Sequence, residues 1–173
     1  GSDMAAIVKA LSRQNIRRII GLSMAGLSGE FPKTLEKWTF DNLPISYVQG
    51  ERQARNVLRE SNLNYTILRL PWLYNNMENT NYELIAEGAP FNDAQVTREA
   101  VVKAVYDILH VEDETPFSRA SIGVGEPGTH YDKPSFCSCY LHLCIPQSYL
   151  HGVNLIQFCS LQTRFHQYIF HLF

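Results

Sequence analysis

Apolar residues recur with the spacing of an amphipathic helix in three segments of the chain. The first, residues 3–15, starts at Asp3, a residue type that caps helices. The second, residues 46–61, carries charged side chains opposite its apolar face. The third starts at Thr97, another capping type, and runs to residue 109. These patterns predict three helices.

Four short runs rich in β-favouring residues alternate with these helices. They lie at residues 17–23, 64–70, 82–85 and 119–124. A loop of small residues, 24–29, follows the first run, and Pro71 stops the second. Since parallel strands need crossovers of about this length, the alternation predicts an α/β fold with a parallel sheet.

The predicted sheet is small for this fold class. Only residues 18–23 and 65–70 are convincing parallel strands, whereas sheets usually have about five or six strands. The chain also starts with a helix that would normally follow a strand, and its first methionine is Met4. We therefore expect the C-terminal portion of a doubly wound parallel sheet, a fragment whose N-terminal half is missing.

Charge patterning changes abruptly near residue 137. Residues 1–136 carry 31 of the 32 charged side chains, whereas residues 137–173 carry only Arg164, together with all four cysteines and four of the six histidines. A soluble surface normally mixes charges of both signs, so we expect a tail that is not part of the preceding domain. An out-of-frame or intron-derived extension is the favoured origin, and an interaction tail is the alternative.

Four side chains in this tail are of the types that bind zinc. They are Cys137, Cys139, His142 and Cys144, and thiolate and imidazole are the usual zinc ligands. All four lie on one short stretch, however, with no second ligand pair across a loop. The sequence therefore predicts no metal site, and nothing marks the cysteines as disulfide-bonded.

The overall composition excludes several classes of protein. A net charge of −2 lacks the basic excess of a nucleic-acid binder, and 45% hydrophobic residues exceed what a disordered chain carries. No apolar run reaches 18 residues, and no signal peptide is recognisable. We expect a cytoplasmic domain with a small-molecule substrate and without nucleic-acid or membrane partners, while oligomerisation stays open.

The string SYVQGERQARNVLRESNLNYTILRLPWLY, residues 46–74, points to a family. It resembles a stretch of atypical short-chain dehydrogenase/reductase proteins, the NmrA-like and sugar-epimerase-like branch, that reads roughly Y-x-x-x-K-x-x-x-E-x-x-L-R-x-S-x-L-x-Y-T-I-L-R-P. Upstream, RRIIGLSMAGLSGE is similar to the family strand that ends in the active-site serine. The resemblance covers about residues 3–136.

This resemblance implies a Rossmann domain that binds NAD or NADP. The family's glycine-rich phosphate loop precedes the region matched here, so we expect the 173 residues alone not to bind a dinucleotide tightly. Residues 123–128 contain three glycines but follow the last strand with no helix after them, whereas a phosphate loop joins a strand to a helix N-terminus. They are predicted to form a plain turn.

The family's catalytic residues map onto Ser23, Tyr47 and Glu51. In the family a serine orients the substrate, a tyrosine is the general acid/base, and a lysine four residues later lowers the tyrosine pKa. Here Glu51 takes the lysine position, one helical turn from Tyr47. Because a carboxylate raises the pKa of a neighbouring phenol, the usual acid/base device is predicted to be broken.

Each candidate also has a structural interpretation. Ser23 could simply start a turn, and Tyr47 could be an aromatic residue on a packed helix face. Glu51 could form an i,i+4 ion pair with Arg55, with a hydrogen bond to a ligand hydroxyl as the alternative. His130 has no evident partner and is assigned no role.

The resemblance further implies residues that line the cofactor. They are Ser23, Met24, Tyr47, Leu70, Pro71, Trp72 and Leu73. Those after the second strand correspond to the segment that passes the nicotinamide in the family. Core packing explains Leu70 and Leu73 equally well.

Two functions follow as leading hypotheses. The first is an NAD(P)-binding oxidoreductase whose fragment is inactive. The second is a non-catalytic NAD(P)-sensing regulator of NmrA type, which Glu51 favours. A third hypothesis is an interaction protein that works through its cysteine- and histidine-rich tail.

Overall fold

A computed structural model of the chain describes residues 1–137, in which helices and strands alternate. The described helices are α1 (Ser2–Arg13), α2 (Lys33–Asp41), α3 (Ile45–Glu60) and α4 (Arg98–Leu109). The described strands are β1 (Arg18–Met24), β2 (Asn64–Leu70), β3 (Trp72–Tyr74), β4 (Glu83–Ile85), β5 (Gln95–Thr97) and β6 (Ala120–Gly125). The α/β class predicted from the sequence is confirmed.

Three parallel strands form most of the main sheet, whose order is β1-β2-β6-β4. β1 and β2 pair in parallel from Arg18 opposite Asn64 to Met24 opposite Leu70, and β2 and β6 are also parallel. β4 runs antiparallel to β6, so the main sheet is mixed rather than wholly parallel. The carboxyl ends of β1, β2 and β6 consequently lie at one edge of the sheet.

Three elements were not predicted from the sequence. Helix α2 is only nine residues long, and Pro32 precedes it directly. Strands β3 and β5 have three residues each and pair in parallel as a separate small sheet. Pro71 does end β2, but pairing resumes at the next residue, where Trp72 lies opposite Gln95.

Helix α4 starts as the sequence predicts. The hydroxyl oxygen of Thr97 accepts a hydrogen bond from the backbone N–H of Ala100 at 3.0 Å, which satisfies a donor that the first helical turn leaves free. The same hydroxyl donates to the carbonyl of Asn79 at 2.6 Å. Thr97 therefore fixes the start of α4 and also holds the long connection before β4.

The core lies on both faces of the sheet because the side chains of β2 alternate between them. Tyr65 and Ile67 pack with Met4 of α1 and Leu58 of α3. Leu68 and Leu70 pack on the opposite face against residues of α4. Within residues 1–137, no helix is both long and apolar enough to cross a membrane.

Two sequence predictions concern residues that the structure does not describe. Cys139, His142 and Cys144 of the weighed zinc motif lie outside the described residues, as does the tail from residue 138 onward. The division into residues 1–136 and 137–173 stays a prediction.

Candidate functional site

Ser23 lies near the carboxyl end of β1 and contacts Glu51 of α3. Its hydroxyl donates to Glu51 Oε2 at 3.2 Å, and the backbone N–H of Met24 donates to the same oxygen at 3.3 Å. The fold thus brings together three of the residues singled out from the sequence. Ligands of open parallel sheets bind beyond this end of the strands, so the contact is at the expected place for a site.

The carboxylate of Glu51 does not form the predicted ion pair with Arg55. The two donors at the end of β1 take one of its oxygens, while Arg55 donates to the hydroxyl of Ser28 at 3.1 Å. The interpretation of Glu51 as a surface i,i+4 pair was therefore wrong. Instead, Glu51 ties α3 to the end of β1.

Tyr47 lies one helical turn before Glu51 on α3. Desolvation and, second, the charge of Glu51 raise the pKa of Tyr47 to about 12. The direction is the one predicted from the sequence. The residue is 48% exposed, so about half of its surface packs against the protein. The charge of Glu51 is the part of this shift that a substitution at position 51 can remove.

Removing that charge provides a direct test. We expect Glu51→Gln to lower the pKa of Tyr47 from about 12 toward that of free tyrosine, because the neutral amide no longer opposes the phenolate. Ultraviolet titration of the phenols, with Tyr47→Phe to identify its contribution, measures the change. Glu60→Gln at the far end of α3 is the matched control, and an unchanged Tyr47 pKa in the Glu51 variant would contradict the assignment.

The residues predicted to line the cofactor continue from the end of β2. Leu70 is buried against α4, and the buried Pro71 follows it. The indole N–H of Trp72 donates to the Thr39 hydroxyl at 3.2 Å, and Leu73 packs on the core. Leu70 lies opposite Met24 in the sheet, so this segment borders the Ser23 site, and its role as cofactor lining stays a prediction.

A buried ion pair, not predicted from the sequence, holds the loop after β1. Arg69 of β2 donates to Glu30 at 3.1 Å, and their side chains are 3% and 5% exposed. The carboxylate of Glu30 also accepts from the backbone N–H groups of Gly26 and Ser28. This network orders the loop that follows the Ser23 site. The sequence signal that could have predicted the ion pair is an arginine within an otherwise apolar buried strand.

The groups present fit one end of a dinucleotide. The Ser23 hydroxyl and the half-exposed Tyr47 phenol offer polar contacts suited to a ribose or to a reacting carbonyl. For the pyrophosphate, residues 123–128 do not form a phosphate loop, because 123–125 belong to β6 and 126–128 follow it with no helix directly after them. Residues 126–128 agree with the predicted plain turn, whereas 123–125 form the end of β6. In the glycine-containing loop between β1 and α2, the N–H groups of Gly26 and Ser28 donate to the carboxylate of Glu30.

Sequence and structure comparisons place the chain among known proteins. The NAD(P)H-binding family profile matches residues 2–112. A short-chain dehydrogenase/reductase of Veillonella parvula, solved in complex with NADP, is 85% identical with a TM-score of 0.77, over 78% of this chain and 62% of that one. No curated protein matches the chain.

Two more distant structures have the same fold. A Rossmann-fold NAD(P)-binding family protein of Shigella flexneri is 26% identical with a TM-score of 0.54, over 78% of this chain and 60% of that one. An oxidoreductase of Lactococcus lactis is 21% identical with a TM-score of 0.54, over 80% and 59%. The chain thus spans about three fifths of the length of each relative.

Proposed function

The chain belongs to the NAD(P)H-binding family, and from this premise we propose that it supplies the nicotinamide end of an NADP site in an oxidoreductase. The observation that carries the proposal is the contact of Ser23 with Glu51 at the carboxyl end of β1, with Tyr47 one turn away. The Veillonella parvula relative, solved with NADP, supports this cofactor. A small carbonyl, quinone or sugar-nucleotide is the proposed substrate class.

The protonation of Tyr47 favours reduction over oxidation. A phenol whose pKa is about 12 stays protonated throughout the neutral range, so it can donate a proton but is a poor base. The hydroxyl proton of Ser23 is directed at Glu51, which leaves its oxygen to accept a hydrogen bond. Tyr47 is therefore the group that remains to protonate a substrate oxygen, and a bound nicotinamide would supply the hydride.

A second function is favoured by Glu51 itself. The carboxylate holds the Ser23 hydroxyl and opposes ionisation of Tyr47, so both side chains are drawn away from the roles that the family assigns to them. A regulator that binds NAD(P) without catalysing a reaction, like the NmrA regulators, would not need an active serine or tyrosine. Dinucleotide binding without turnover distinguishes this function from the first.

The test compares two proteins. One is the 173-residue chain, and the other, called the extended chain, places the N-terminal part of the Veillonella parvula relative before it. We expect calorimetry to show NADPH binding by the extended chain only, because residues 123–128 are not followed by the helix that a phosphate loop requires. NADPH oxidation with a panel of small carbonyls and quinones then tests turnover.

Three outcomes decide among the proposals. Turnover by the extended chain supports the oxidoreductase, and binding without turnover supports the regulator. Tight NADPH binding by the 173-residue chain would contradict the expectation that it cannot hold the pyrophosphate. Failure of the extended chain to bind NADPH would contradict both functions.

A further inference from the structure

Three side chains capable of binding a metal meet at the carboxyl end of β6, away from Ser23 and Glu51. They are Glu83 at the start of β4, Asp93 shortly before β5, and His130 after β6. One ligand atom from each lies within 4.8 Å of the other two. The sequence predicted no partner for His130, but its Nε2 lies 3.4 Å from Asp93 Oδ1, so that interpretation was wrong.

Asp93 is the buried member of this cluster. It is 1% exposed, and neither carboxylate oxygen accepts a hydrogen bond from the described residues, although His130 lies 3.4 Å from one of them. Burying a carboxylate without hydrogen bonds is costly unless a cation or a proton compensates it. The buried position of Asp93 beside two other ligand types distinguishes the cluster from an ordinary acidic surface.

The backbone of β6 makes room for this carboxylate. A Cβ at Gly125 would lie 2.2 Å from Asp93 Oδ2, closer than any real contact. Gly125 pairs with Glu83 across the sheet, so the same residue also sets the position of the second ligand. The observed position of the Asp93 carboxylate therefore requires a glycine at position 125.

The electrostatics of the cluster call for a positive charge. The carboxylates of Glu83 and the buried Asp93 lie within 4.8 Å of each other, and Glu126 is close to them. Glu126 is already engaged, because Tyr74 and Asn79 donate to its two oxygens at 2.8 and 2.9 Å. Glu83 and Asp93 thus remain as acceptors for a cation.

We propose that Glu83, Asp93 and His130 bind a divalent transition-metal ion. Two carboxylates and an imidazole form a donor set that suits Mn²⁺ and Zn²⁺, whereas an imidazole is a poor ligand for Mg²⁺ or Ca²⁺. Metal–ligand bonds of about 2.1 Å hold neighbouring ligand atoms about 3.0–3.4 Å apart, so ligand atoms that now lie within 4.8 Å of one another must move closer by up to about 1.5 Å. Glu83 and His130 are exposed and can make this movement, which leaves the remaining coordination positions open to water.

Such an ion would join three segments that the hydrogen-bonded sheet connects only in part. Glu83 is on the antiparallel edge strand, Asp93 is in the loop before β5, and His130 belongs to the segment after β6. The ion would lie at the edge of the sheet that also carries Ser23. The proposal does not depend on the proposed NADP function.

The test is a titration of the full chain with Mn²⁺, followed by electron paramagnetic resonance of the free ion. Mn²⁺ is chosen because thiolates favour softer metals, so the four cysteines compete little. We expect Asp93→Asn, Glu83→Gln and His130→Gln each to weaken Mn²⁺ binding at least about tenfold, since even outer-shell partners contribute that much. Zn²⁺ should displace Mn²⁺, and Mg²⁺ should not.

The control variants are His110→Gln and Asp132→Asn, which change the same residue types outside the cluster and should leave binding unchanged. His130 is exposed, so His130→Gln keeps the test valid if Asp93→Asn does not fold. Equal Mn²⁺ binding by the native chain and the His130 variant would overturn the proposal. Absence of binding by the native chain would also overturn it, and would assign the cluster as a proton-sharing carboxyl pair.

Discussion

Tyr47→Phe is expected to lower carbonyl reduction by the extended chain about 100- to 10,000-fold, the usual contribution of a positioned proton donor. The phenol is the donor that remains at the site, because the Ser23 proton is directed at Glu51. The rate of NADPH oxidation measures the effect, and calorimetry checks that NADPH still binds. Tyr131→Phe, an exposed tyrosine outside the site, is the matched control. An unchanged rate would exclude Tyr47 as the acid.

The pH dependence of the same reaction tests the role of Glu51. Reduction requires the protonated phenol, so its rate should hold through the neutral range and fall only as the pH approaches about 12. Glu51→Lys places a positive charge one turn from Tyr47, which lowers its pKa and moves the fall in rate to lower pH. The same variant should gain alcohol oxidation, because the phenolate can then act as a base. Identical pH profiles would contradict the coupling.

The second large effect concerns the stability of the fold. We expect Arg69→Met to lower the free energy of unfolding by about 3–5 kcal/mol, because it leaves Glu30 as a buried, uncompensated charge. The two side chains are 3.1 Å apart, and Arg69 also donates to the carbonyls of Ile85 and Ala86. Urea unfolding followed by circular dichroism measures the change.

Two comparisons make this prediction specific. Lys37→Met removes one member of an exposed i,i+4 pair with Asp41 and should cost less than about 1 kcal/mol. Adding Glu30→Gln to Arg69→Met should recover part of the loss, since the orphaned charge is then gone. A loss below about 1 kcal/mol for Arg69→Met alone would show that the pair contributes little.

Acid should weaken the same pair. Burial by itself raises the pKa of Glu30, but hydrogen bonds from the backbone at Glu30, Ser28 and Gly26 and from Arg69 lower it overall. A carboxyl whose pKa is lower in the folded chain contributes stability above its unfolded pKa and loses it as the pH falls through the folded pKa. The native chain should therefore lose more stability in acid than the Glu30→Gln/Arg69→Met variant.

The periodic elements could be predicted from the sequence, and the short ones could not. Helix α4 has a capping threonine and an apolar face, and β2 is a run of β-favouring residues that ends at Pro71. Helix α2 is nine residues long, and β3 and β5 have three residues each, so periodicity had too few positions to act on. The strands β3 and β5 depend on tertiary pairing, with Trp72 opposite Gln95, rather than on local pattern.

In the candidate site, too, some features could be predicted from the sequence and others could not. Family resemblance identified Ser23, Tyr47 and Glu51, and the effect of the carboxylate on the phenol followed from helical spacing. The contact between Ser23 and Glu51 was not predicted, because it depends on how α3 lies against the end of β1. His130 was assigned no role for a similar reason, since Asp93 reaches it only through the fold.

The order of strands in the sheet also determines when it can assemble on the ribosome. β2 is buried along almost its whole length, and it pairs with β6 from Thr66 opposite Ala120 to Arg69 opposite Gly123, residues that are far apart in the chain. During synthesis β2 can join β1 as soon as it emerges, but its other edge has no partner until β6 follows. An apolar strand with an open edge is a site for intermolecular association. The nascent chain is thus most vulnerable to aggregation in the interval between residues 70 and 120.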